Sequence, residues 1–112
     1  MPVIIKDRHT VSLQSTCSEA LYTLYTAEKP CFVCFTSLLY WIYAQPESLL
    51  FKISTKDNLY SAKQFISNAR MSNHIHLSGC AYLNKGEVIN VYATASQTAS
   101  DDIYTTLMVI PV

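Results

Sequence analysis

Apolar side chains recur at alternate positions through much of this chain, the period of a strand with one buried face. Val11-Ser12-Leu13-Gln14 alternates, and Leu21-Tyr22-Thr23-Leu24-Tyr25-Thr26 has the Tyr and Thr content of a strand. Leu49-Leu50-Phe51-Lys52-Ile53 follows a turn at Gln45-Pro46-Glu47-Ser48. Farther on, Ile75, Leu77, Gly79, Ala81 and Leu83 fall on one strand face, and His74, His76, Ser78, Cys80 and Tyr82 on the other. Asn84-Lys85-Gly86 then reads as a tight turn with glycine at a positive φ, and Glu87-Val88-Ile89-Asn90-Val91-Tyr92-Ala93 returns as the partner strand. A polar loop over 96–102 precedes a last strand, Ile103-Tyr104-Thr105-Thr106-Leu107-Met108-Val109-Ile110. Residues 60–67 are ambiguous, and Ser18-Glu19-Ala20-Leu21-Tyr22 is the best, very short, helix candidate. Seven or eight strands with turns about every ten residues predict an all-β, two-sheet antiparallel sandwich. The whole chain, 1–112, reads as one domain, with residues 1–19 forming an N-terminal arm and first strand.

One stretch breaks the alternation. CFVCFTSLLYWIYA, residues 31–44, is apolar on both strand faces. It is shorter than the roughly 20 residues of a bilayer span and contains Thr36 and Ser37, so membrane insertion is not expected. Periodicity cannot separate helix from strand in such a run, but its aromatic and β-branched composition favours a strand. The end of the last strand is likewise apolar on both faces. A sandwich has one inner face per sheet, so a doubly apolar strand predicts a cover over its outer face. A second copy of the chain is the simplest cover. The expected subunit contacts are Phe35, Leu39, Tyr40, Trp41, Tyr43, Tyr104 and Met108.

Composition strengthens that expectation. Hydrophobic residues make up 50% of the chain and charged residues only 14%, well under the usual quarter or so. Neutral Ser and Thr are the other way to cover a surface, and both are plentiful. Eight basic residues balance eight acidic ones, so no field draws nucleic acid or an anionic membrane. No basic start followed by a long apolar core is present, which predicts synthesis in a cytoplasm with reduced cysteines.

Chemistry-bearing groups are sparse. Cys31 and Cys34 have zinc-knuckle spacing, but strand residues three apart point to opposite faces and no second pair follows. His74 and His76 share a face and are the only metal candidates of that kind; Cys80 lies too far along to join them. Asp101 and Asp102 would reach calcium only from a loop. No nucleophile elbow, phosphate-binding glycine loop or His-Glu-x-x-His pattern occurs, so neither an enzyme nor a cofactor is expected. The tyrosines and Trp41 offer either strand packing, a sugar-stacking surface or a protein interface.

Three segments in order resemble the tumour necrosis factor-like and complement-q globular heads. These are Tyr25-Thr26-Ala27-Glu28-Lys29-Pro30-Cys31-Phe32-Val33-Cys34-Phe35, the hairpin from Ser78-Gly79 through Lys85-Gly86-Glu87 to Val91, and Leu107-Met108-Val109-Ile110-Pro111. Cys31 stands where a glycine is usual, and Glu87 replaces the commoner Asp. The resemblance implies a ten-strand jelly roll, a homotrimer around an aromatic three-fold axis, and binding of a receptor or glycan with no catalysis. A phage fibre or capsid head on a virion surface fits the short, charge-poor chain. The alternative is a monomeric or dimeric carbohydrate-binding β-sandwich.

Overall fold

The computed structural model describes residues 2–16, 18–42, 47–66, 72–95 and 99–112. Eight strands form: β1 (Val3–Leu13), β2 (Tyr22–Thr26), β3 (Cys31–Ile42), β4 (Glu47–Ser54), β5 (Leu59–Ile66), β6 (Ser72–Leu83), β7 (Val88–Ala95) and β8 (Ala99–Pro111). The ambiguous stretch is thus a strand, β5. The helix candidate at 18–22 is not a helix. It bends into β2, where the Leu21 amide donates to the Val91 carbonyl at 2.8 Å.

The strands pair as β1 with β8, β2 with β7, β3 with β6 and β4 with β5, all antiparallel. This nesting is one long hairpin, its tip at β4–β5, wrapped into two sheets. The first sheet runs β1-β8-β3-β6 and the second β2-β7-β4-β5. That is the jelly roll expected from the sequence, built from two antiparallel four-stranded sheets. It has eight strands among the described residues, not the ten the resemblance implies. The link between β1 and β2 carries no strand in its described part.

Alternation decides the core. In β3, Cys31, Val33, Phe35, Ser37 and Leu39 are all buried between the sheets. Phe51, Leu49 and Ile53 of β4 and Ile89 and Val91 of β7 meet them from the second sheet. Two buried polar side chains satisfy each other: the Ser37 and Thr105 hydroxyls share a hydrogen bond of 2.8 Å.

A tyrosine closes each long side of the sandwich. On the β5–β6 side, Tyr60 lies over Gly79 and packs edge-on against Phe35, centroids 5.0 Å apart. Its hydroxyl donates to the Cys80 carbonyl at 2.6 Å. On the β1–β2 side, the His9 ring stacks on Tyr22 with centroids 3.7 Å apart. The Tyr22 hydroxyl is buried without a geometrically formed hydrogen bond among the described residues; Thr105, which lies toward it, is engaged with Ser37. Burial, and then the Asp7 carboxylate, push the Tyr22 phenol far above its ordinary range.

The turn between β6 and β7 behaves as its sequence requires. Gly86 has φ of 85°, the left-handed region that favours glycine. The Glu87 side chain accepts a hydrogen bond from the Asn84 amide at 2.8 Å, and this holds its carboxyl below the usual range.

Candidate functional site

The two outer faces of the sandwich differ in chemistry. On the second sheet the outward residues include Thr23, Asn90, Tyr92 and Lys52. The Thr23 hydroxyl donates to Asn90 Oδ1 at 2.9 Å, and the Lys52 ammonium stands 5.7 Å from the Tyr92 ring centroid. Leu59, at the start of β5, is an exposed large hydrophobic on this sheet.

The first sheet presents an apolar outer face. Because β3 is apolar at both parities, filling the core with its odd positions leaves Phe32, Cys34, Leu38 and Tyr40 pointing outward. The registers lay these side chains in rows across four strands. Ile110, Phe32 and Tyr82 form one row, and Ile4, Met108, Cys34 and Cys80 the next. A row of small polar groups follows, Thr106, Thr36 and Ser78, with Lys6 at its β1 end. Beyond it come Arg8, Tyr104, Leu38 and His76.

Exposure on this face is high for side chains of this type. Phe32 is 48% exposed, Tyr82 42%, Tyr104 39%, Met108 38% and Ile4 66%. Phe32 and Tyr82 meet edge-to-face at 5.3 Å. Among the described residues nothing covers them. A patch of aromatic, methionine and aliphatic side chains on a sheet face is the composition of a protein interface core. The middle row of small side chains sinks into a depression of about 360 Å³, bordered by Met108 and by the Cys34 and Cys80 side chains.

Cys34 and Cys80 are joined by a disulfide across β3 and β6. The sequence reading expected cysteines reduced at synthesis and left their pairing open. The pairing of β3 with β6 sets Cys34 directly opposite Cys80. Cys31 faces inward, buried and unbonded, so Cys31 and Cys34 point to opposite sides as their spacing requires.

The expected contact residues divide. Tyr40, Tyr104 and Met108 lie on the outer face, partly exposed. Phe35 and Leu39 are corrected: at 3% and 0% exposure they belong to the core. A run apolar on both faces gave no parity with which to separate them from Phe32 and Leu38. The Trp41 side chain and the whole of Tyr43 lie outside the described residues.

The metal candidates lie in strands. His74 and His76 are both exposed on β6, opposite Tyr40 and Leu38. No group of three metal-ligating side chains forms among the described residues. Asp101 and Asp102 are not in a loop; β8 begins before them, and a strand turns them to opposite faces. Asp101 is buried. Asp102 accepts from the Thr10 hydroxyl at 2.7 Å and from the Arg8 guanidinium at 3.3 Å. The Thr10 hydrogen bond, then Arg8, holds its carboxyl below the usual range. The same guanidinium stands 5.3 Å from the Tyr104 ring centroid. No helix of the described chain is long and apolar enough to cross a membrane.

By topology and alternation the chain has the jelly-roll fold, two packed antiparallel four-stranded sheets. Solved structures carry the same fold. A chain of infectious bursal disease virus, Gx strain, superposes with a TM-score of 0.59 at 12% identity, over 99% of this chain and 33% of the viral one. This chain therefore spans about a third of that viral chain. The Eiger tumour necrosis factor of S. frugiperda superposes with a TM-score of 0.51 at 9% identity, over 97% of this chain and 92% of that one. The globular domain of zebrafish complement 1qA gives 0.44 at 13% identity, over 96% and 98% of the two chains. No protein-family model and no curated protein matches the sequence.

Proposed function

We propose that the protein is a non-enzymatic structural and binding module that assembles as a homotrimer through the outer face of its first sheet. The observation that carries this reading is the contrast between the two outer faces. One carries the hydrogen-bonded Thr23 and Asn90 and the Lys52–Tyr92 pair, with Leu59 exposed at the start of β5; the other leaves Phe32, Tyr82, Tyr104, Met108 and Ile4 in water. A chain with only 14% charged residues gains by covering that face with itself. Three-fold closure is what the sequence resemblance implies. The likeness to a viral chain supports a virion-surface setting, as a capsid or phage fibre head.

Face-directed variants test the reading. Phe32→Asp sets a charge on the apolar face without touching the core, and is expected to yield single chains with an unchanged fold. Thr94→Asp, on the second sheet, is expected to leave the assembly whole. Equal masses for both variants and the parent would remove the proposed face.

Self-association through the first sheet leaves the second free to bind a receptor or glycan. A depression of about 380 Å³ there is lined by Ser54, Lys56, Glu87, Asn90 and Tyr92. An aromatic ring among hydrogen-bonding side chains suits a sugar. Glycan-array binding by the parent that is lost in Tyr92→Ala, with the mass unchanged, is the expected result. Sugar binding by a chain that never assembles would favour the carbohydrate-binding sandwich instead.

A further inference from the structure

We propose that the Cys34–Cys80 disulfide is a thiol-exchange site, open to small monothiols in the free chain and sealed when the first sheet's outer face is covered. Its accessibility stands on geometry alone; the seal rests on the self-association reading.

The bond lies on the outer face, with Cys80 exposed and Cys34 half-buried. Its surroundings are short or flexible: Thr36, Ser78, Thr106 and Met108 border the depression of about 360 Å³ beside it. Exchange needs a thiolate to reach one sulfur of the bond, so access governs the rate. This bond opens onto the apolar outer face of the first sheet, in the row of Ile4 and Met108. Breaking it does not part the strands, because the register from Cys31↔Leu83 to Ile42↔Ser72 holds β3 and β6 together without it. The site can therefore open and close again in a folded chain. Cys31 does not compete: it is buried on the opposite face, and burial raises its thiol pKa.

The exchange runs in two displacements. The thiolate of a monothiol attacks Cys80 Sγ and forms a mixed disulfide. The Cys34–Cys80 bond breaks, and its electron pair leaves on Cys34 Sγ, which takes a proton from water. A second monothiol thiolate then attacks the small-molecule sulfur of the mixed disulfide. It forms the reductant's own disulfide and releases Cys80 as a thiolate, which is protonated in turn. Two electrons enter the protein, and two monothiol molecules are oxidised.

Reduced glutathione is the probe. Protein is treated at a concentration where sedimentation gives single chains and at one where it gives the assembly. Both are quenched with N-ethylmaleimide and read by intact mass and peptide mapping. The Cys34→Ser/Cys80→Ser chain is the control for adducts on Cys17 and Cys31. Single chains are expected to form the Cys80 adduct and then two free thiols, and the assembly to react at least about tenfold more slowly. No reaction in single chains, under conditions that fully reduce the urea-unfolded protein, would overturn the site. Equal rates in both states would overturn the seal. Single chains at every concentration, with Cys80 still reactive, would uphold the exchange site and remove the assembly reading.

Discussion

Replacing Gly79 by alanine is expected to destabilise the protein by about 2 kcal/mol, and the structure supplies each part of that figure. Gly79 does not have a left-handed backbone, so torsion is not the constraint. A Cβ there would lie within contact distance of Cδ1, Cε1 and Cζ of Tyr60. The ring must move, and it is anchored at two points. Its hydroxyl bonds the Cys80 carbonyl at 2.6 Å, a bond with a net contribution of about 1 kcal/mol. Its edge-on contact with Phe35 at 5.0 Å adds about 0.5–1.5 kcal/mol beyond area. Loss of apolar burial adds to both. Against them, alanine in a strand gains about 0.5–1 kcal/mol over glycine. Urea unfolding followed by circular dichroism gives the number. The decisive control is Tyr60→Ala. In that background the obstacle is gone, and Gly79→Ala should turn stabilising by about 0.5–1 kcal/mol. A neutral Gly79→Ala in the parent, or the same loss in both backgrounds, would refute the reasoning.

Four further outcomes follow from the same geometry. The disulfide closes a separation of 46 residues, for which chain entropy gives about 4 kcal/mol as an upper figure; Cys34→Ser/Cys80→Ser should lose up to that amount in denaturant titration and remain folded. Tyr22→Phe removes a buried hydroxyl without a partner and should be neutral or stabilising by up to about 1 kcal/mol in the same titration. Because burial raises the Tyr22 phenol above its ordinary 10.0, the unfolded chain releases that proton first as pH rises, and stability falls above pH 10; Tyr22→Phe should flatten that fall in melts run against pH. The Glu87 carboxyl is held low by the Asn84 amide, so its contribution is present above the ordinary carboxylate range and lost as acid protonates it; Glu87→Gln should lower the melting temperature at neutral pH and converge with the parent in acid.

Most of the architecture was legible because alternation and turn chemistry agree. The β6–β7 hairpin is the clearest case: apolar positions on one face, then Gly86 where a positive φ is required. β5 was not legible, because residues 60–67 mix polar and apolar positions without a clear period, and pairing with β4 decides the matter. The same limit governed the candidate site. A doubly apolar β3 announced an apolar outer face, and Tyr40, Tyr104 and Met108 lie there. It did not announce which parity faced outward, so Phe35 and Leu39 were assigned to contacts and Phe32 was passed over. That parity is set across the sandwich, by Phe51 and its neighbours packing on the odd positions. Cys34 and Cys80 went unpaired because a register between strands 46 residues apart is a tertiary fact. The aspartates misled for a simpler reason: Ser, Gln, Thr and Asp read as loop, while backbone pairing with β1 draws 99–102 into β8.

The central claim is that a second copy of the chain covers the outer face of the first sheet. Sedimentation equilibrium across a wide concentration range tests it most directly. The account predicts a species of three times 12.6 kDa that dissociates on Phe32→Asp; a stable species of 12.6 kDa at every concentration would contradict it.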